Sequence, residues 1–133
     1  MIPKRTANPP VLARRGLLGT DIDNYSARGA LDQHEAQLVY EWAMQEAAKV
    51  SGLSLDQCRR QPTGDGELVV LPDGVHEPRV LAVLLTVLAD RLREYNESHT
   101  PDLQVRVRVA VHHGLIHLNG ATGYPVLHSE ILG

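Results

Sequence analysis

Phenylalanine is absent from this 133-residue sequence, and aromatic residues of any kind make up only 4% of it. Hydrophobic residues still reach 43%, so a core of ordinary size is available, built from Leu, Val and Ala. Cysteine is nearly absent too. The single Cys58 excludes an internal disulfide and a cysteine zinc knuckle. With no secretory signal pattern, that points to a reducing cytoplasm. Long hydrophobic runs are missing: the longest apolar-rich segment, Val80 to Leu88, is too short to span a bilayer and is followed by Asp90, Arg91 and Arg93. There is no basic excess either. A formal net charge of -3 gives no electrostatic ground for a duplex-binding surface. The length suits one domain, and there is no internal repeat.

Residues 1–14 carry Pro3, Pro9 and Pro10 with basic residues and no periodicity, which reads as a flexible lead-in to a domain over 15–133. Arg15 to Ile22 reads as the first strand. Gly29 to Val50 reads as a helix whose Leu31, Leu38, Val39, Trp42, Ala43, Ala47 and Val50 form one apolar stripe, with Trp42 in the core and Gly52 as the stop. Cys58 to Gln61 is a short strand. Thr63-Gly64-Asp65-Gly66 is a turn, and Glu67 to Leu71 is its partner strand. Pro78 to Asn96 is a second helix with Leu81, Leu84, Leu85, Leu88, Leu92 and Tyr95 on one face. Leu103 to Val111 alternates strictly as a strand. His113-Gly114 is a bulge or turn, Leu115 to Leu118 a further strand, and Asn119-Gly120 a turn. The order β-α-β-β-α-β-β predicts an α+β sandwich: a mainly antiparallel sheet with helices on one face, in the ferredoxin-like split βαβ arrangement.

Two acidic turns stand out. Asp21 follows the apolar pair Leu17-Leu18, and Asp65 sits in the Gly64-Asp65-Gly66 turn ahead of Leu68 to Leu71. If both turns meet at one end of the sheet, their carboxylates supply the hard oxygen ligands that suit Mg²⁺ held together with a substrate phosphate. Each has a plainer role open to it, Asp21 as a helix cap and Asp65 as a turn residue. Asp23 reads as a turn or cap residue. His112, His113 and His117 raise a zinc site against solvated imidazoles. Arg106 and Arg108 share a strand face that is either solvated or in contact with a phosphate or a second subunit. Cys58, with no nearby His, is not a convincing nucleophile.

Over about Arg15 to Val126 these motifs resemble the class III nucleotidyl cyclase homology domain of adenylate and guanylate cyclases. Leu18-Gly19-Thr20-Asp21-Ile22-Asp23-Asn24-Tyr25-Ser26 is similar to the family's first metal motif, and Thr63 to Val70 to the Gly-Asp hairpin of the second. Arg106 to Gly114 resembles its later Arg-bearing strand. The likeness is greatest to shorter, divergent domains of the actinobacterial kind, and it ends ahead of the family's last strands. It implies two Mg²⁺ or Mn²⁺ ions on Asp21 and Asp65, with the Ile22 carbonyl as a supplementary ligand. It also implies a bound nucleoside triphosphate near Gln61, Gly64 and Arg106, and a homodimer with sites between subunits. Two departures accompany it. Gln61 stands where purine-selecting members carry Lys or Glu. Leu127 and Ile131 stand where an Asn and an Arg stabilise the transition state. The expectation is therefore triphosphate and metal binding with cyclase activity weak or lost. The alternative is a catalytically inactive pseudocyclase serving as a dimerisation or regulatory module, alone or with a regulatory partner protein.

Overall fold

A computed structural model describes residues 11–75, 77–118 and 125–126. Five antiparallel strands, β1 (Val11–Ile22), β2 (Arg59–Pro62), β3 (Gly66–Val70), β4 (Val107–Leu118) and β5 (Pro125–Val126), lie in the order β2-β3-β1-β4-β5. The helices α1 (Ala30–Ser51) and α2 (Glu77–Glu97) connect β1 to β2 and β3 to β4. With β3 inserted between β1 and β2, this is the ferredoxin-like split βαβ arrangement. Helix α1 stops at Gly52, whose φ of 79° is the left-handed conformation open to glycine at low cost, and whose N–H caps the Ala48 carbonyl.

Strand alternation sorts the core. Leu18 and Ile22 of β1 and Val69 of β3 join Leu71 and pack with Ala36, Val39, Ala43, Met44 and Ala47 of α1 and Leu84, Leu88 and Leu92 of α2. The opposite face holds a smaller buried cluster of Leu17, Leu68, Val70 and Ile116. Strand β3 is thus buried on both faces, which is why Leu68-Val69-Val70-Leu71 is a continuous apolar run and not an alternating one. Each such Leu or Val contributes about 1.5–3 kcal/mol on full burial.

One polar network crosses this core. Thr20 Oγ1 lies 2.8 Å from the Tyr40 hydroxyl, which donates its one hydrogen to Glu67, so Thr20 is the donor to Tyr40. Arg60 Nε and Nη2 donate to the two Glu67 oxygens at 2.7 and 2.8 Å, and Nη1 and Nη2 donate to Glu41 at 2.9 and 2.7 Å. Glu67 is buried, and a buried carboxylate persists only when paired in this manner. The network ties α1 to β1, β2 and β3. Burial, reinforced by the Glu67 charge, pushes the Tyr40 phenol well above its ordinary value of 10.0. The hydrogen bond from Arg60 holds Glu41 below the usual carboxylate range.

The structure corrects several expectations. Strand β1 begins at Val11, not Arg15, because β4 pairs with it along its whole length, from Val11↔Leu118 to Ile22↔Val107. Of the expected lead-in over 1–14, residues 11–14 are therefore strand, and 1–10 lie outside the described residues. The strands expected at Leu103–Val111 and Leu115–Leu118 are a single strand from Val107, passing through His113-Gly114 without a turn. Val105 is buried yet outside the ladder, since the Asn96 amide takes both its N–H (2.8 Å) and its carbonyl (3.0 Å). The Asn119-Gly120 turn falls outside the described residues. Trp42 is not core: it is 44% exposed, with Leu38 at 54% and Leu31 at 86% on the same stripe. The buried stripe runs instead through Ala36, Val39, Tyr40, Ala43 and Ala47, where small side chains let α1 approach its neighbours closely.

The Tyr40 phenol sets an alkaline limit. Its contribution is fully present below about pH 10 and is lost as pH rises toward its elevated folded value, because the unfolded chain ionises first. Tyr40→Phe should flatten that alkaline slope. By leaving Glu67 and Thr20 each one partner short it should also cost about 1–3 kcal/mol at neutral pH. Thermal melts followed by circular dichroism between pH 7 and 11 measure both effects; an unchanged slope refutes the assignment.

Candidate functional site

The two acidic turns meet. Strands β1 and β3 pair with Asp21 opposite Gly66, and the Ile22 N–H donates to the Asp65 carbonyl at 2.8 Å. On the other side of β1 the Asp23 N–H donates to the Arg106 carbonyl at 2.8 Å. The hairpin lies so close to β1 that a Cβ added at Gly66 would stand 1.8 Å from the Thr20 carbonyl oxygen. Only glycine allows this approach, and it brings Asp65 to the end of β1. Asp21 and Asp65 line one cavity of about 240 Å³ together with Thr20, Thr63 and Arg108. Ile22 contributes backbone here, its side chain being core.

Arg108 completes the cluster. It stands opposite Asp21 in the β1–β4 register, and its Nε donates to Asp21 Oδ1 at 2.9 Å. The hydrogen bond to Asp21 raises the guanidinium pKa, and the charges of Asp21, Asp23 and Asp65 add to it. The acid pair thus offers hard oxygen donors, and a cation already stands against one of them. This donor set fits Mg²⁺ or Mn²⁺. Among the described residues there is no group of three or more His, Cys, Asp or Glu side chains placed to hold a metal ion.

The remaining predicted site residues are spread over neighbouring places. Gly64, at φ 93° in the hairpin turn, lines a second cavity of about 450 Å³ between α1 and the hairpin. Asp65 borders that cavity as well as the first. Gln61 is exposed on β2, opposite Leu68, and strand alternation turns it away from the face that carries Arg60. Arg106 lines a third, polar cavity of about 660 Å³ at the start of α1 with Asp23, Arg28, Gly29 and Asp32. There Arg28 donates to the Gln104 carbonyl, and its Nε is buried without a hydrogen-bond partner. The loop between β1 and α1 turns at Asn24, whose φ of 53° is a conformation Asn tolerates. Asp21, Ile22, Asp65 and Gly64 are therefore brought together, while Gln61 and Arg106 stand apart from the acid pair. Sequence reasoning missed the Arg108–Asp21 pair and the contact of Arg28 with the Gln104 carbonyl. The alternation over Leu103 to Val111 predicts that Arg106 and Arg108 share a strand face, but Arg106 precedes β4, and the pairing register shows that Arg108 meets Asp21.

His112 and His113 follow one another in β4 and so point to opposite faces. Cys58 is buried, and burial pushes its thiol up to about 11, which keeps it protonated and unreactive at neutral pH.

No family model matches the sequence, and no curated protein does. Solved structures match by shape. A bacterial light-regulated adenylyl cyclase superposes with a TM-score of 0.69 at 9% identity, over 95% of this chain and 39% of that one. A dimeric guanylyl cyclase domain of the RhoGC fusion protein from the aquatic fungus Blastocladiella emersonii gives 0.58 at 15% identity, over 93% and 72%. The guanylate cyclase domain of RhGC from Catenaria anguillulae in complex with GTP gives 0.56 at 17%, over 89% and 67%. The chain spans about 39–66% of the length of three of the matching chains, the two light-regulated cyclases and a Silicibacter pomeroyi cyclase. This chain has the fold of the adenylyl and guanylyl cyclase domains.

Proposed function

We propose that this domain binds a nucleoside triphosphate together with Mg²⁺ or Mn²⁺ at the Asp21–Asp65 cleft, as a divergent nucleotidyl cyclase-like domain whose cyclase activity is weak or lost. The observation that carries this reading is the meeting of the two acidic turns at one cavity, with Ile22 bonded to Asp65 and a guanidinium against Asp21. Asp21 and Asp65 would hold the metal, with the Ile22 carbonyl as a further ligand. When bound, the metal would acidify a ribose hydroxyl and neutralise phosphate charge. Gly64 keeps the hairpin free of a side chain where the nucleotide approaches. The family resemblance gives the phosphates and the base edge to Arg106 and Gln61, but both stand apart from the acid pair in this fold. The guanylate cyclase domain in complex with GTP supports a triphosphate as ligand.

Leu127 and Ile131 support the loss of activity, because neither apolar side chain can donate to a phosphoryl oxygen. One missing preorganised donor costs about 3–4 kcal/mol of transition-state stabilisation. The supporting experiment is calorimetry with each ribonucleoside triphosphate in the presence and absence of Mn²⁺. Binding should need the metal and weaken at least tenfold in Asp65→Ala, while mass spectrometry finds no more than traces of cyclic nucleotide and pyrophosphate. Binding that ignores both the metal and the substitution overturns the reading.

The second reading, a pseudocyclase used for dimerisation or regulation, is favoured by one observation. Leu12, Val109, Val111 and Leu115 lie exposed on the sheet face that elsewhere carries the helices, at 61%, 38%, 51% and 55%. A second copy of this chain is the occupant we favour, in line with the dimeric guanylyl cyclase domain of the same fold; a regulatory protein is the other. No helix among the described residues is long and apolar enough to cross a membrane. Sedimentation equilibrium should find a dimer that Val111→Glu weakens by at least tenfold. An unaltered dimer removes this strip from the interface.

A further inference from the structure

The cavity of about 450 Å³ between α1 and the β2–β3 hairpin has no role so far, although Gly64 and Asp65 line it. One wall is a single face of α1, where His34, Gln37, Leu38 and Glu41 stand at helical spacing. The other wall is the hairpin, where Gly64 and Gly66 add no side chains. Ile22 and Tyr40, both buried, contribute apolar lining. The walls are held at a fixed distance, because Arg60 joins Glu41 of α1 to Glu67 of β3. The cavity is therefore preformed, and its volume is that of a small-molecule site.

Charge selects the guest. The carboxylates of Glu41, Asp65 and Glu67 line the cavity, and among the described lining residues Arg60 is the one fixed cation. Arg60 is spent on Glu41 and Glu67, so Asp65 is left unmatched within the cavity. An anion would meet repulsion here and find no free guanidinium. These groups are not placed to hold a metal ion either. The apolar surface fixes the rest of the guest: Leu38 is exposed on the α1 wall and Pro62 on the hairpin wall. We propose that this cavity binds a small organic cation, an ammonium whose aromatic or aliphatic body lies between Leu38 and Pro62 and whose charge pairs with Asp65. The site stands whether or not the acid pair holds a metal.

The test uses the full chain in the presence of a chelator, so that no metal competes for Asp65, with naphthylmethylammonium as the probe and amide NMR shifts as the readout. Binding should be millimolar or tighter, as a ligand of this size allows, and should shift the amides of Leu38, Gly64, Asp65 and Gly66. Naphthylmethanol, without the charge, should bind about fivefold more weakly, and naphthylacetate, with the opposite charge, more weakly still. Asp65→Asn should weaken the ammonium about fivefold and leave the alcohol unchanged, a split that loss of structure does not produce. Gln37→Trp, at an exposed helix position, should fill the cavity and abolish binding of both with the thermal melt unaltered. Naphthylacetate binding as tightly as the ammonium, shifts confined to other residues, or no binding of the ammonium at millimolar concentration overturns the proposal. A lysine- and leucine-rich helical peptide that shifts these amides when the ammonium does not makes the occupant a protein, and overturns the small-molecule site.

Discussion

One register step separates a buried charge from the acid pair. Thr20 faces Glu67 across β1 and β3, and the next pair along is Asp21 with Gly66. Glu67 has its partners, Tyr40 and Arg60, on the helix-facing side of the sheet. Slipping β3 by one residue would turn Glu67 to the other face and leave it without them. Removing the partner of a buried ion costs about 3–5 kcal/mol, enough to exclude the slipped state. The same register presses Gly66 against Thr20. The placing of Asp65 beside the end of β1 is therefore a consequence of how the core anion is satisfied.

The shortage of aromatic residues shapes the other layer. With no Phe to fill space, the buried side of α1 relies on Ala36, Ala43, Ala47 and Ala48 around Val39, Tyr40 and Met44. Small side chains gain less per residue but permit closer packing. That closeness lets the Tyr40 hydroxyl reach both Thr20 and Glu67. The larger apolar residues of the helix, Leu31, Leu38 and Trp42, remain on its outer side. A stripe drawn by hydrophobicity alone gathers these bulky residues and so rotates the helix away from its true buried face.

Features carried by local chemistry were legible in the sequence. The order of the elements as far as β4, the stop at Gly52, the hairpin around Gly64 and the two acidic stretches all follow from nearest-neighbour preferences, and the structure has each of them, whereas the two strands expected between Leu103 and Leu118 are one. Long-range pairing was not legible. Whether Arg106 or Arg108 meets Asp21 depends on the β1–β4 register, which no local pattern specifies. Val105 alternates perfectly with Val107, yet a side chain nine residues earlier, Asn96, takes its backbone bonds in place of a strand. The extension of β1 back to Val11 likewise depends on β4 running on to Leu118. Each miss marks a position where a distant partner decided what local propensity left open.

Two arginines in this fold pair with carboxylates, and their surroundings separate them. Arg60 is mostly buried and forks into Glu67 and Glu41 with four short bonds, and both acids raise its pKa. Glu67 is buried, so opening its pair with Arg60 would strand a charge, and that pair acts as part of the framework. Arg108 makes one bond to Asp21, and water reaches both groups. There water and salt screen the charges, so the pair adds little to stability. The same chemistry thus serves as a fixed joint behind the hairpin and as a weakly held contact at the end of β1. The first joins α1 to β2 and β3, and the second spans β1 and β4.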